Sequence, residues 1–555
     1  MDEPLQDHSI LEPNGQEASS AMTTGLGFWI GQRINAVGNP RRVGTVRYVG
    51  EVEGYAGDWV GVDWDDGEGK HDGSVGDVRY FLARGERSGS FVRAKNLSSG
   101  ISFLEALHLR YGSESTKEEE EEMYVYSTSQ KHVSIQLVGK HKIQEKLQHI
   151  NELLNASLSY LGVSSTEPSN EINAVVPNLK ELDLTGNLLS RWQDIDTLCK
   201  ALPALEILNL TNNLMDCKIP YIPSLGGIRV LVLSNCGITW NQVEELKESL
   251  SAIQELHLMK NNIQIIVCAS NARGQGFDSL RVLNLEENHI ESWDEILKLS
   301  YLRSLEQLHL NRNKLRQIYY PLDQRMTGSD FSTKATNIRP FECLQCLLLG
   351  SNEIDNAASI DSLNLFPRLM DIRLSDNPIV DPSKGGVSRF VLVARLAKVK
   401  FLNGSEVSQR ERKESEIRYV RLVMSKMQSD DLEEIQRFHP RFVELKALHG
   451  IADETPSSGI SGPQKMSSGL ICVTLKCVGA SMGEKQPLTK KLPSTVTVGK
   501  LKALCESFFK LKGIRLKLFI QEQEAPLPSL LDDDMIPLGD VGVSKETTIL
   551  VDEES

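Results

Sequence analysis

Leu179-Lys180-Glu181-Leu182-Asp183-Leu184-Thr185-Gly186-Asn187-Leu188-Leu189 is the stretch on which the fold turns. Leucines at Leu179, Leu182, Leu184 and Leu189 alternate with polar residues, and Asn187 breaks the run. The same spacing returns from Leu205, Ile228, Ile253, Leu280, Leu305, Leu344 and Leu369. The interval is about 25 residues, the range of stacked-coil architectures. A single coil of that size cannot hide its own leucines. Each must bury them against the next coil, which predicts a solenoid with one strand per repeat. The asparagines (Cys236 in the third repeat) turn the chain and satisfy backbone groups between coils. These positions are structural.

The pattern resembles leucine-rich repeats, an α/β solenoid. Its function is expected on the strand positions between the leucines, which face the concave side. Ile207, Val230, Val232, Met259, Val282 and Leu348 are apolar there, and Glu255 and Glu286 lie beside them. Apolar exposure with a polar rim reads as a protein-binding face, unless neighbouring loops cover it. Upstream, residues 143–161 fit either a capping helix or a degenerate first repeat carrying Ile150, Leu153 and Leu158. Downstream, Phe401 to Gly404 and the charged run Arg410 to Arg421 read as a helical cap, so the array with its caps spans 143–445. Extra sequence between the sixth and seventh repeats, including Met326 to Asp330, predicts a loop on one face.

Nearer the N-terminus, Val43 to Val49 and Trp59 to Trp64 alternate as strands among glycine turns. Gly69-Lys70-His71-Asp72-Gly73 follows, then Tyr80-Phe81 and Gly89-Ser90-Phe91-Val92-Arg93. This order resembles the CAP-Gly family, a small all-β barrel that grips the acidic C-terminal tails of tubulin. The resemblance implies a tail-binding site of Trp59, Gly69, Lys70, His71, Asp72, Gly73, Tyr80, Phe81 and Arg93. Lys70 and His71 would meet carboxylates, the glycines would shape the loop and let backbone N–H groups approach the ligand, and the aromatics would wall a groove. His71 stands where that family usually has asparagine. Gly54 stands where it usually has a groove aromatic, for which Tyr55 can substitute.

The expected boundaries are a tail over 1–25, the barrel over 26–97 and a linker over 98–142 that holds five consecutive glutamates. Glu121-Glu122-Met123-Tyr124 reads as a solvated run or as a weak occupant of the groove in cis. A Ser/Gly/Pro-rich linker closes the segment 446–469. Beyond it, over 470–555, Ile471 to Cys477 alternate as a strand, and Thr497 caps a helix bearing Leu501, Leu504, Cys505 and Phe508. Arg515 to Ile520 and Thr547 to Val551 supply further strands. That order resembles the ubiquitin-like α+β β-grasp, here without a terminal Gly-Gly.

The sum of 61 basic and 75 acidic residues gives −14, a poor footing for nucleic acid. No apolar run approaches the ~18 residues of a membrane span, and the N-terminus lacks a signal-peptide pattern. Scattered cysteines fit a reducing cytoplasm, and Cys343 and Cys346 lack a second pair for zinc. No phosphate loop or catalytic motif is present, so neither cofactor, metal nor enzyme activity is expected. Barrel, repeats and β-grasp in that order resemble the tubulin-folding cofactor family. The resemblance implies a cytoplasmic, cytoskeleton-associated chaperone. Its implied partners are α-tubulin, the α/β-tubulin dimer and the other tubulin-folding cofactors (B, C and D). The alternative is an adaptor joining tubulin or microtubules to ubiquitin–proteasome machinery.

Overall fold

The computed structural model describes residues 27–112, 124–126, 132–134, 150–267, 277–321, 340–426, 432–451, 470–479, 485–493, 495–511, 515–521, 528–531, 534–538 and 547–553. The tail 1–25, the acidic run through Met123, residues 143–149, Met326 to Asp330 and the linker 455–469 lie outside them. The chain forms two compact units, residues 1–288 and 289–555.

The first unit opens with the barrel. β1 (Arg33–Ala36), β2 (Asn39–Val52), β3 (Tyr55–Trp64), β6 (Gly89–Val92) and β7 (Leu97–Ser98) pair in the order β6-β3-β2-β1-β7, and β4 (Ser74–Val75) and β5 (Val78–Arg79) make a side hairpin. The alternation that marks β2 and β3 in the sequence places Val46, Val60, Val62 and Trp64 in one core with Ile34, Phe28 and Leu97. Residues 98–112 fall in the expected linker, yet they fold. β8 (Ile101–Ser102) leads into α1 (Phe103–Leu107), whose Phe103, Ala106 and Leu107 are fully buried. Three buried apolar residues within five positions give that short helix a packed face.

β9 (Tyr124–Tyr126) and β10 (His132–Ser134) form a hairpin. The array then starts at β11 (Asn155–Ser157), which pairs in parallel with β13 (Glu181–Asp183) and aligns Ala156 with Leu182. Over residues 150–161, the described part of 143–161, the chain forms the first, degenerate repeat. β12 (Val163–Ser165) leaves the ladder to pair with β8. The ladder continues through β14 (Ile207–Asn209), β15 (Val230–Val232), β16 (Glu255–His257) and β17 (Val282–Asn284), all parallel and in register. Every repeat leucine on these strands is buried.

Asn261 shows how the coils are tied. Its side-chain carbonyl accepts the amides of Cys236 (2.9 Å) and Ile238 (3.1 Å), and its Nδ2 donates to Leu233 O at 2.7 Å. Cys236 keeps the donor function, since its thiol points at Leu210 O at 3.0 Å. It has no side-chain acceptor, and Met215 N–H donates instead to the Cys236 carbonyl at 3.0 Å. The residue before each of these ladder positions is left-handed (Asn212, Asn235, Lys260 and Glu287 at φ 61°, 54°, 58° and 54°), which tightens the turn into the asparagine or, at 236, the cysteine. On the outer side, two helices begin with a buried tryptophan, Trp192 and Trp240.

The second unit repeats the coil in β18 (Gln307–His309), β19 (Cys346–Leu348), β20 (Asp371–Arg373) and β21 (Phe401–Leu402). Phe401 and Leu402, expected within a helical cap, extend the ladder by one strand and turn back through β22 (Ser405–Glu406). The helix Gln409–Lys426 follows and packs Tyr419, Val420 and Val423 with Phe442 and Leu445 of a later helix. The last domain orders β23 (Leu470–Cys477), β24 (Leu488–Pro493), β25 (Leu516–Gln521), β26 (Ser529–Leu531) and β27 (Thr547–Glu553) as β24-β23-β27-β25-β26. Its helix Val498–Phe509 is capped by Thr497, whose hydroxyl accepts Lys500 N–H at 3.3 Å, and it buries Leu501 and Cys505 against the sheet.

Candidate functional site

The loop 69–73 is held against β6 by backbone pairing. Lys70 and His71 both donate their amides to Gly89 O, at 2.7 and 3.1 Å, and Gly89 N–H returns to His71 O at 2.8 Å. Gly89 is in turn positioned by the turn before it: the Ser88 hydroxyl donates to the fully buried Asp63 carboxylate at 2.7 Å, and Trp64 N–H donates to Ser88 O. A Cβ on Gly69 would lie 2.4 Å from the Ser88 carbonyl carbon. Gly73 sits at φ +104°, and a Cβ there would lie 2.0 Å from Phe81 O. Glycine is needed at 69 for packing, and at 73 for both packing and backbone conformation. The expectation that loop amides face a ligand is not met for Lys70, His71 and Gly73. Gly73 N–H is taken by His71 Nδ1 at 3.0 Å.

That bond assigns the imidazole. With Nδ1 accepting, the neutral ring carries its proton on Nε2 and has one donor left. Burial, the largest influence, and the nearby Lys70 push the His71 pKa below its ordinary value, against an opposing pull from Asp72. Asp72 does not reach outward. One carboxylate oxygen accepts Ser74 N–H at 3.1 Å and the other accepts Arg79 Nη2 at 2.6 Å, and the hydrogen bonds from Ser74 chiefly hold its pKa low. Lys70 is exposed.

The aromatics cluster around Phe91. Its ring lies 5.0 Å from His71, 5.4 Å from Tyr80, 5.5 Å from Phe81 and 6.0 Å from Tyr48. Phe81 is buried and forms the floor, while Tyr80, Phe91 and Tyr48 keep partial exposure. Tyr80 is tied down by Glu53 N–H, which donates to its hydroxyl at 2.8 Å. Gly61 makes room for the floor, because a Cβ there would lie 2.6 Å from the Phe81 ring. Phe91 and Tyr48 were not among the expected site residues. Their signal was present: Tyr48 lies in the alternating run Val43 to Val49, and Phe91 lies inside the motif Gly89 to Arg93.

Trp59 belongs to a second group. The Arg93 guanidinium stacks 3.7 Å over its ring and donates to Asp58 O (3.0 Å) and Ala56 O (2.6 Å). Tyr55, exposed, stands edge-on to Trp59 at 6.1 Å. Nη1 and Nη2 of Arg93 thus each donate once within the barrel.

On the ladder the registers sort the concave residues into rows. Ile207 pairs with Val230, Val230 with Glu255, and Glu255 with Val282. Val232 stands two residues along, between Asn209 and His257. Ile207, Val230 and Val232 therefore form one partly exposed patch, and Glu255 separates it from Val282. Met259 and Glu286 lie just beyond their strands. Leu348 belongs to the second unit, between His309 and Arg373. The expected stripe is thus interrupted, since strand pairing fixes which side chains are neighbours. Among the described residues no group of three or more His, Cys, Asp and Glu could hold a metal ion. No described helix is long and apolar enough to cross a membrane.

Residues 30–97 match the CAP-Gly domain family model. The solution structure of the C-terminal ubiquitin-like domain of mouse tubulin-specific chaperone e is 30% identical to 18% of this chain, covering 95% of that one with a TM-score of 0.14. Tubulin-specific chaperone E of Danio rerio is 31% identical over 94% of this chain and 98% of its own length. Tubulin-folding cofactor E of Arabidopsis thaliana is 58% identical over 95% of this chain and 98% of its own. Identity at that level across nearly all of both chains is shared ancestry of every module, so this chain belongs to the tubulin-folding cofactor E family of non-enzymatic, tubulin-specific chaperones.

Proposed function

We propose that this chain captures α-tubulin by two contacts and acts with the other tubulin-folding cofactors (B, C and D) to assemble the α/β heterodimer or take it apart. The observation that carries the reading is the exposed Lys70 beside the Nε2–H donor of His71, set against the ring cluster around Phe91. Such a site suits an acidic peptide ending in an aromatic or apolar side chain. Lys70 and His71 meet its carboxylates, Tyr80 and Phe91 receive its terminal side chain over Phe81, and Trp59 with Arg93 makes the rim. The patch of Ile207, Val230 and Val232, with Glu255, Val282, Met259 and Glu286 beyond it, meets the folded body. The place of action is the cytoplasm, with the cytoskeleton.

The test mixes the purified chain with α/β-tubulin and follows subunit dissociation, with and without the other cofactors, beside a variant lacking residues 1–97. Altered dissociation that weakens in the variant supports the proposal. Stable binding with no effect on the dimer under every cofactor combination overturns it in favour of the adaptor.

A further inference from the structure

The barrel is not tethered to the array; it is built into its end. β8 pairs in parallel with β12, and Ile101 N–H donates to Gly162 O at 2.9 Å. The approach is so close that a Cβ on Gly100 would lie 2.3 Å from Gly162 O. α1 continues the contact: Leu104 N–H donates to both carboxylate oxygens of Glu167 at 3.1 Å, while Phe103 and Leu107 are fully buried. From β2 of the barrel, Arg41 places its guanidinium 4.9 Å from the ring centroid of Tyr160, the left-handed residue (φ 58°) of the first repeat. That ring lies over Gly186, where a Cβ would be 2.1 Å from it, and the Tyr160 hydroxyl accepts Asn212 Nδ2 at 3.3 Å. A chain of contacts thus runs from barrel strand to the turns that border the concave ladder.

We infer that this joint holds the tail-binding groove at a fixed setting relative to the first repeats, so that Arg41, Gly100, Tyr160 and Gly162 are positioning residues for one ligand. That ligand has a folded surface and an acidic extension whose length matches the span. The inference rests on the two-contact reading above. A flexible linker lets the second contact form at an effective concentration set by a random coil, whereas a rigid joint removes that spread for the matching ligand and rejects others.

The experiment uses the full chain, a variant with a flexible Gly-Ser spacer inserted between Ser99 and Gly100, and Arg41→Ala. Affinity is measured for an acidic tail peptide, for α/β-tubulin stripped of its acidic tails by limited proteolysis, and for intact α/β-tubulin. Hydrogen exchange follows the Ile101 amide. The spacer variant is expected to keep the first two affinities and to lose roughly tenfold for intact tubulin, with a smaller loss in Arg41→Ala. The Ile101 amide should be protected in the unmodified chain and exposed by the spacer. Unchanged affinity of the spacer variant for intact tubulin, or an unprotected Ile101 in the unmodified chain, overturns the inference alone. Failure of the unmodified chain to bind the tail peptide overturns the groove reading and the inference with it.

Discussion

His71 is the residue whose chemistry departs most from its family pattern, and its one assigned bond makes it testable. Its folded pKa lies below the ordinary 6.5 because burial disfavours the charged ring. Above that value the ring is neutral in both folded and unfolded chains and contributes no pH dependence. As pH falls through it, the unfolded chain takes up the proton first, so the barrel loses stability, and protonation of Nδ1 also breaks the bond from Gly73 N–H. Thermal unfolding of the barrel should therefore shift down as pH falls below 6.5, and His71→Asn should flatten that dependence. Lys70 acts differently. Its ammonium is exposed, so Lys70→Ala should leave stability unchanged and weaken tail-peptide binding about tenfold or more, the loss of a charge-assisted hydrogen bond. Calorimetric titration at low and high salt checks both the size and the smaller salt dependence of the variant. Gly73→Ala should fail for a steric reason and lower the barrel's unfolding midpoint, because no side chain fits at φ +104° against Phe81 O.

At the scale of the element, the asparagine ladder decides how well one coil holds the next. Asn261→Ala removes three buried hydrogen bonds and strands the amides of Cys236 and Ile238 together with the carbonyl of Leu233. A loss of about 3 kcal/mol or more is expected in denaturant unfolding. The ladder was legible from period and spacing. The helices on its outer side were not, although Trp192 and Trp240 mark where two of them begin. Residues 98–112 were illegible for another reason. Their pattern is too short for periodicity, and their three buried positions have meaning only against β12 and the first repeat.

Across the whole molecule the thiols report packing. Burial pushes Cys199, Cys236, Cys346 and Cys505 up to about 12, so they stay protonated at neutral pH, whereas Cys217 is exposed. An alkylating reagent should label Cys217 in the native chain and reach the buried Cys236 and Cys505 only on unfolding, which mass spectrometry of labelled peptides can follow. Such inert thiols also speak against nucleophilic chemistry at these four positions. The sequence by itself determined the modules and their order, because hydrophobic period, turn glycines and motif spacing are local properties of the chain. Which candidate residues stand together was decided by tertiary structure alone. Phe91 joins His71 and Tyr80 through the pairing of β3 with β6, Glu255 interrupts the apolar row through ladder register, and Arg41 meets Tyr160, far along the chain, where β8 docks on β12. Contacts between distant segments depend on how strands pair and twist in three dimensions, and no local spacing encodes them.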